Sequence, residues 1–351
     1  MDIILLIDDD DEIRLEKVEA INDCIKKQNI TEEVCVQEIT AKELDEIANA
    51  EIKEDYPSIE DKFAKYLIDR PEIKLVVVDK DLSKYDAAIQ SESTVTEGAC
   101  IAAVPVCGYS RRLERDHTSS LTRLKQWNMS NIIAVDKNTV GENAVELYMG
   151  FKAIEDRYPK IDDRKVTNSE LLGMILDKNE QKSYFENYEH NISMPGSIFE
   201  ISVSEKKRRI YFLGLWLYKY ILRFPGVIFN KSAAAAYLNI SEEDFEANSA
   251  LFKEHQYLGP FSVYTKYWWR YEIEDLLNNA EAEDGADYIY RETNKRIEKN
   301  DDEGKTYFYC MLTKKPISER DSDPARQIIP LGADLAKIDK DKLEVHWEMT
   351  T

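Results

Sequence analysis

The chain has 351 residues, of which 43% are hydrophobic and 10% aromatic, a composition that supports folded cores and argues against global disorder. Its length exceeds that of one ordinary domain, so we expect two. The formal charge of −21 at pH 7 repels phosphate backbones, which argues against nucleic acid as a general partner.

The cysteines and the apolar segments indicate a cytoplasmic protein. The five cysteines are odd in number and form no C-x-x-C pair, so we expect neither a disulfide framework nor a zinc site. The N-terminus lacks the basic lead of a signal peptide. The most apolar later stretch, residues 210–222, is too short to span a membrane and is interrupted by Lys219. We therefore expect no membrane partner.

Apolar runs separated by amphipathic segments dominate the first 154 residues. The runs that predict strands lie, in chain order, at 3–7, 34–36, 75–78, 104–110 and 132–137. The helical spacing of Val18, Ile21 and Ile25 predicts a helix after the first strand. Further helices are predicted between the fourth and fifth strands, at 112–127, and after the fifth, at 140–154. Repeated β/α units of this kind predict an α/β fold with a doubly wound, five-stranded parallel sheet and right-handed crossovers.

Four of these predicted strands end in side chains that can bind cations or phosphate. Asp8 and Asp9 follow the first strand, Asp79 ends the third, Ser110 ends the fourth and Lys137 ends the fifth. Ligands bind at this edge of an open parallel sheet, and carboxylate oxygens suit Mg²⁺. A carboxylate, a hydroxyl and an ammonium group at one edge can accept a phosphoryl group and hold its oxygens.

The order of these strand-end residues along the chain makes the segment 1–150 resemble the receiver domain of bacterial response regulators. Residues 7–14 are similar to that family's first strand and acidic pocket. Residues 78–86 are similar to its phosphoacceptor strand and loop, with Leu82 and Asp86 in familiar places. The resemblance implies a flavodoxin-like fold and a role in two-component signalling.

The resemblance also implies a role for each strand-end residue. Asp8 and Asp9, together with Asp79, would bind Mg²⁺, and Asp79 would accept the phosphoryl group. Ser110 would be the switch hydroxyl, and Lys137 would pair with the phosphoryl oxygens. The implied phosphodonor is a histidine kinase or a phosphotransfer protein. The implied catalysis is at most self-phosphorylation and self-dephosphorylation.

Several features depart from the family pattern. Ser83 and Asn138 stand where the family usually has proline, and Ala134 replaces a common aromatic residue. The chain between the first and third strands is longer than a receiver needs, so we expect an insertion near residues 45–65. The missing aromatic favours a phosphate sink that competes with a partner receiver. Binding of an effector protein in a bacterial signalling or defence module is the other predicted output.

Two other interpretations of the acidic residues stay open. A degenerate receiver would serve as a binding scaffold, with residues 9–12 merely capping the first helix. Residues 75–82 also resemble the first motif of haloacid-dehalogenase-type phosphatases, in which Asp79 would be the nucleophile and Asp81 the general acid. The order of motifs argues against the phosphatase, because its further acidic pair would follow the lysine, whereas here the acidic pair comes first.

The remainder of the chain predicts a second domain. A charged stretch containing one proline indicates a linker over residues 155–168, between a receiver-like domain at 1–154 and a domain at 169–351. Apolar segments at 171–176 and 209–223 predict helices. We therefore expect a mostly helical domain that serves output or interaction.

Residues 232–252 predict a helix-turn-helix, with Ser241 as the N-cap of the second helix. DNA-binding regulators share this outline and are an alternative for the function. However, Glu242, Glu243 and Asp244 begin the would-be recognition helix, where phosphates would lie. We therefore favour a structural role for this segment over DNA binding.

Overall fold

The computed structural model describes residues 1–51, 58–82, 89, 91–110, 124, 130–161, 165–188, 203–300 and 308–342. Contacts divide the chain into two compact units, the first comprising 1–118, 126–158 and 191–215, and the second 119–125, 159–190 and 216–351. The predicted linker at 155–168 and the domain limits beside it remain predictions. The first unit also takes in a segment, 191–215, that lies beyond that linker.

The first unit alternates strands and helices. Its strands are β1 (Asp2–Ile7), β2 (Val34–Glu38), β3 (Ile73–Asp79), β4 (Val106–Ser110) and β5 (Ile133–Asp136). Its helices are α1 (Asp11–Lys27), α2 (Ala41–Ala48), α3 (Ile59–Ile68), α4 (Glu92–Ile101) and α5 (Val140–Arg157). Later in the chain, all but the last residue of the helix Glu205–Trp216 also belongs to this unit. A 3₁₀ turn, Lys137–Thr139, joins β5 to α5. The predicted helix at 112–127 lies outside the described residues, apart from Leu124.

The five strands form one parallel sheet in the order β2-β1-β3-β4-β5. Helices cover both faces of a parallel sheet, so the side chains on both sides of each strand are buried. Strands in such a sheet are therefore continuous apolar runs rather than alternating ones. Residues 4–7 of β1 and 75–78 of β3 are fully buried. The predicted α/β fold with a five-stranded parallel sheet is confirmed.

Side-chain caps fix where the helices of this unit begin. Asp10 accepts hydrogen bonds from the backbone at the start of α1. Thr40 with Glu43 at α2, and Ser58 with Asp61 at α3, form reciprocal capping boxes. Both α2 and α3 lie between β2 and β3, where the sequence predicts an insertion near residues 45–65. Residues 52–57 of that interval are outside the described residues.

The second unit combines helices with two small sheets. Its α-helices are Asn168–Ile175, Lys182–Glu186, Lys231–Tyr237, Glu242–Ala247, Arg270–Asn279 and Gly285–Thr293. One sheet, ordered β6-β8-β7, contains β6 (Ile228–Asn230), β7 (Gln256–Tyr257) and β8 (Tyr267–Trp269). The other, ordered β10-β9-β12-β11, contains β9 (Phe308–Cys310), β10 (Pro316–Ile317), β11 (Ser322–Asp323) and β12 (Ala336–Asp339). Strands this short show no alternation of polar and apolar residues, which is why the sequence did not predict them.

Within this unit the predicted helix-turn-helix is present, as Lys231–Tyr237 and Glu242–Ala247. Ser241 caps the second helix by accepting a hydrogen bond from the Asp244 amide. Phe245 is buried, and its ring lies 5.2 Å from that of Phe252 and 4.8 Å from that of Trp268. The pair of helices thus contributes to a hydrophobic core. Among the described residues, no helix combines the length and the apolar content needed to cross a membrane.

Candidate metal centre

The carboxyl ends of β1 and β3 bring acidic side chains together. The two strands are parallel neighbours, and Ile7 pairs with Val78. Asp8 and Asp79 each follow a member of this pair, so the register places them side by side at the edge of the sheet. The sequence predicted this meeting from the apolar runs that precede each aspartate.

Asp8, Asp9 and Asp79 form a cluster in which one carboxylate oxygen from each lies within 4.8 Å of the others. Asp8 is 0% exposed and Asp79 is 3% exposed, whereas Asp9 is partly exposed. Buried carboxylates are stable only when they are hydrogen-bonded, paired with a cation or bound to a metal. The fold thus brings the three predicted metal residues together. Three carboxylate oxygens this close to one another fit a divalent cation such as Mg²⁺.

The Asp8 carboxylate is oriented by two donors. The backbone amide of Asp10 donates to Oδ1 over 2.8 Å, and the hydroxyl of Tyr109 donates to Oδ2 over 2.5 Å. These two bonds reach both oxygens of the carboxylate and so help to fix the plane of the group. Metal ligands are commonly held in this way by hydrogen bonds from a second layer of residues.

Tyr109 is a residue of this site that the sequence did not single out. It is 1% exposed and pairs with Asp79 across β3 and β4. Because β3 lies between β4 and β1, the ring must reach across the end of β3 for its hydroxyl to contact Asp8. The only sequence signal was its position directly before Ser110, on a strand end already assigned to the site.

Asp10 and Arg14 serve the structure around the cluster. Asp10 caps α1 by accepting from the amides of Glu12 and Ile13. Arg14 donates through Nη1 to the Asp8 carbonyl over 3.1 Å and pairs through Nε with Glu38 over 2.8 Å. The capping role expected for the acidic run therefore belongs to Asp10, while Asp8 and Asp9 point into the cluster.

The structure places the other predicted residues at the same sheet edge without testing their roles. Ser110 ends β4 opposite Asp136 of β5, and its side chain is outside the described residues. Lys137 follows Asp136 and is partly exposed. The positions of Ser83 and Asp86 lie outside the described residues.

Asp81, the second aspartate of the alternative phosphatase motif, does not join the cluster. Asp81 lies two residues past the end of β3, is exposed, and forms an isolated antiparallel bridge with Ser91. Glu92, the residue after Ser91, is a further carboxyl group in this region, and burial raises its pKa, although the charge of Lys80 opposes that shift. Of these groups, only Asp79 contributes to the three-carboxylate cluster found among the described residues.

Comparisons of the chain with protein-family models, curated proteins and solved structures gave no significant match. Fold and site together define an α/β protein with a five-stranded parallel sheet and a largely buried carboxylate cluster at its carboxyl edge. A sheet of this kind supports many functions, so the cluster bears on function more directly than the fold does.

Proposed function

We propose that the chain is a receiver-like phosphoacceptor in which Asp79 accepts a phosphoryl group beside Mg²⁺ held by Asp8, Asp9 and Asp79. The observation that supports this most directly is the carboxylate cluster, whose ligand oxygens lie within 4.8 Å of one another. The strand order, with β1 next to β3, accounts for the approach of these residues. The exposed position of Asp81 gives the phosphatase alternative no comparable support.

Electrostatic repulsion within the cluster favours a bound cation. At a separation of 4.8 Å, two carboxylates repel each other by about 3.5 kcal/mol at an effective dielectric constant of ~20. A divalent cation between them replaces this repulsion with attraction. Mg²⁺ suits the proposal because it binds few protein carboxylates, retains water and completes its shell with phosphate oxygens.

The proposed reaction transfers a phosphoryl group to a carboxylate oxygen of Asp79. The new P–O bond forms as the P–N bond of a phosphohistidine donor breaks, and the departing imidazole nitrogen keeps the electron pair and takes up a proton. When bound, Mg²⁺ would neutralise charge on the phosphoryl oxygens. In this proposal Lys137 adds a second positive charge, and the Ser110 hydroxyl donates a hydrogen bond to the transferred group.

The proposed partners are a histidine kinase or phosphotransfer protein as donor, and a partner receiver or effector protein on the output side. Ala134 of β5 pairs with Gly108 of β4. Neither residue of this pair has a large side chain of its own that could move when the Ser110 hydroxyl engages phosphate, and the Ile132 side chain and the Glu92 carboxylate occupy the space over Gly108. This supports a phosphate sink as the output.

The test is phosphorylation with acetyl phosphate and Mg²⁺, followed by intact-mass measurement. We expect one phosphoryl group on the wild-type chain and none on Asp79→Asn. Asp9→Asn should weaken phosphorylation and Mg²⁺ binding together, because both depend on the cation. An adduct of undiminished yield on Asp79→Asn would refute the proposal.

Asp81→Asn is the matched control, since it removes a carboxylate two residues away that lies outside the cluster. The proposal predicts a normal adduct in this variant and no multiple turnover of p-nitrophenyl phosphate by the wild-type protein. Steady hydrolysis that disappears in Asp81→Asn would instead establish the phosphatase alternative.

A further inference from the structure

A cavity of about 310 Å³ lies in the first unit, at the amino edge of the sheet. It is bounded by the start of β3, the residues before β4, the second half of α5 and the first turns of the helix Glu205–Trp216. The length of β3 separates this edge from Asp79 by roughly 20 Å, at a rise of ~3.3 Å per residue. The cavity is therefore a site distinct from the carboxylate cluster.

The walls of the cavity are positively charged. Four lysines line it, Lys74, Lys152, Lys206 and Lys207, against one carboxylate, Glu155. The net charge of the whole chain is −21, so this local excess of cations has the opposite sign to the molecule as a whole. A cleft lined by charge of one sign concentrates ligands of the other sign.

The carboxylates near the cavity do not offset all four lysines. Lys74 lies 3.4 Å from Glu155, and Lys152 lies 3.0 Å from Asp156. Asp2, which accepts a hydrogen bond from Tyr148, also acts on Lys152, so three carboxylates stand near the four lysines. Lys206 packs over the Tyr158 ring, with its ammonium 5.2 Å from the ring centre. These contacts leave the cavity with more ammonium groups than nearby carboxylates.

Lys207 shows the effect of this imbalance most clearly. Burial and, after it, the charge of Lys74 lower the pKa of Lys207 to about 8, and Glu155 only partly opposes them. A charged group whose surroundings disfavour its charge gains when an anion binds beside it. An anion in the cavity would therefore stabilise the protonated Lys207.

The remaining walls are apolar and aromatic. They include Ile73, Val104, Phe151, Ile210 and Tyr211. Specific ligand sites typically combine such walls with a few placed polar groups and begin at about 300 Å³, so this cavity suits one small molecule. The aromatic rings favour a flat, apolar ligand body, and the lysines favour an anionic group attached to it.

We propose that this cavity binds a small organic anion, with a phosphate, sulfonate or carboxylate group held by the lysines and an aromatic body against the apolar wall. The proposal is independent of phosphoryl transfer at Asp79, because it uses other residues at the opposite edge of the sheet. It gives the first unit a second ligand site.

The probe for the test is 2-naphthalenesulfonate, which carries a fixed negative charge and has no phosphoryl group to donate. Titration of the full-length protein by calorimetry, in EDTA, should show saturable binding at one site. Inorganic sulfate, which lacks the apolar body, and 2-naphthol, which lacks the charge, should each bind at least tenfold more weakly. Binding without divalent cation separates this result from the fate of the proposed phosphoacceptor.

The variants assign binding to the cavity. Lys207→Met keeps the length and apolar stem of the side chain and removes its charge, so the fold should survive while affinity falls about tenfold or more. Lys207→Arg should restore most of the affinity. Lys42→Ala, which removes an exposed lysine paired with Glu46 on α2, should change nothing. Equal affinity in Lys207→Met, or no saturable binding to the wild-type protein, would overturn the proposal.

Discussion

Asp8 carries a formal charge with no exposure to solvent, and its neighbours explain how the fold tolerates it. The Asp10 amide and the Tyr109 hydroxyl donate to its two oxygens. Its buried neighbour Asp79 is a second carboxylate, and two carboxylates this close repel each other. Hydrogen bonds therefore orient Asp8, while the repulsion favours a cation between the two groups. The sequence predicted the three aspartates from their positions behind apolar runs. It could not predict Tyr109, because that contact depends on how a ring crosses a neighbouring strand.

Tyr109→Phe should lower the stability of the metal-free protein by about 1–3 kcal/mol, because it removes a buried hydrogen bond to a carboxylate. It should also weaken Mg²⁺ binding by about tenfold or more, as loss of a residue that orients a metal ligand typically does. Urea denaturation in EDTA and titration with Mg²⁺ measure the two effects.

Tyr148→Phe is the matched control, since the Tyr148 hydroxyl donates to Asp2 over 3.0 Å, at the start of β1 and away from the cluster. We expect it to affect stability without changing Mg²⁺ affinity. Unchanged Mg²⁺ affinity in Tyr109→Phe would show that this hydroxyl does not position a metal ligand.

The helices α1 and α5 pack closely, and a glycine permits the contact. A Cβ atom added at Gly141 would lie 2.7 Å from the carbonyl oxygen of Ala20 and 2.9 Å from its carbonyl carbon. Both are backbone atoms of α1, which cannot move aside as a flexible side chain could. The sequence predicted both helices from the spacing of their apolar residues. The requirement for glycine at this crossing follows only from the distance between the helices.

Gly141→Ala should therefore destabilise the protein by about 1–2 kcal/mol, because overpacking costs more than the ~1 kcal/mol that alanine gains in helix propensity. The midpoint of urea denaturation measures this change. Glu142→Ala, at the next and exposed position of α5, is the control and should stay within about 0.5 kcal/mol of wild type. A stabilised Gly141→Ala would mean that the two helices can separate at little cost.

For the molecule as a whole, the proposed phosphorylation of Asp79 would act either at its own site alone or through the sheet on other elements. Ala134 and Gly108 pair across β5 and β4, so position 134 has only a methyl group where an aromatic side chain could have moved. The charge of −21 disfavours DNA as an output partner. The proposed output is accordingly a phosphate sink, with protein binding as the other form of output.

Hydrogen exchange with and without beryllofluoride, a mimic of the phosphoryl group, tests the sink. We expect protection confined to the backbone near Asp9, Asp79 and Ser110, and little change over residues 130–150. The Asp79→Asn variant, which should not bind the mimic, is the control. Large changes that extend through 130–150 into residues 205–222 would identify a conformational switch instead.

Apolar runs and their order in the chain are enough to predict the α/β class, the parallel sheet and the approach of Asp8, Asp9 and Asp79, because the carboxyl ends of parallel strands share one edge. The contact of Tyr109 with Asp8, the close crossing at Gly141 and the cavity lined by Lys74, Lys152 and Lys207 became visible only in the folded chain. The same holds for the short strands of the second unit. These features depend on register and on contacts between residues far apart in the chain, which local patterns of polarity do not encode.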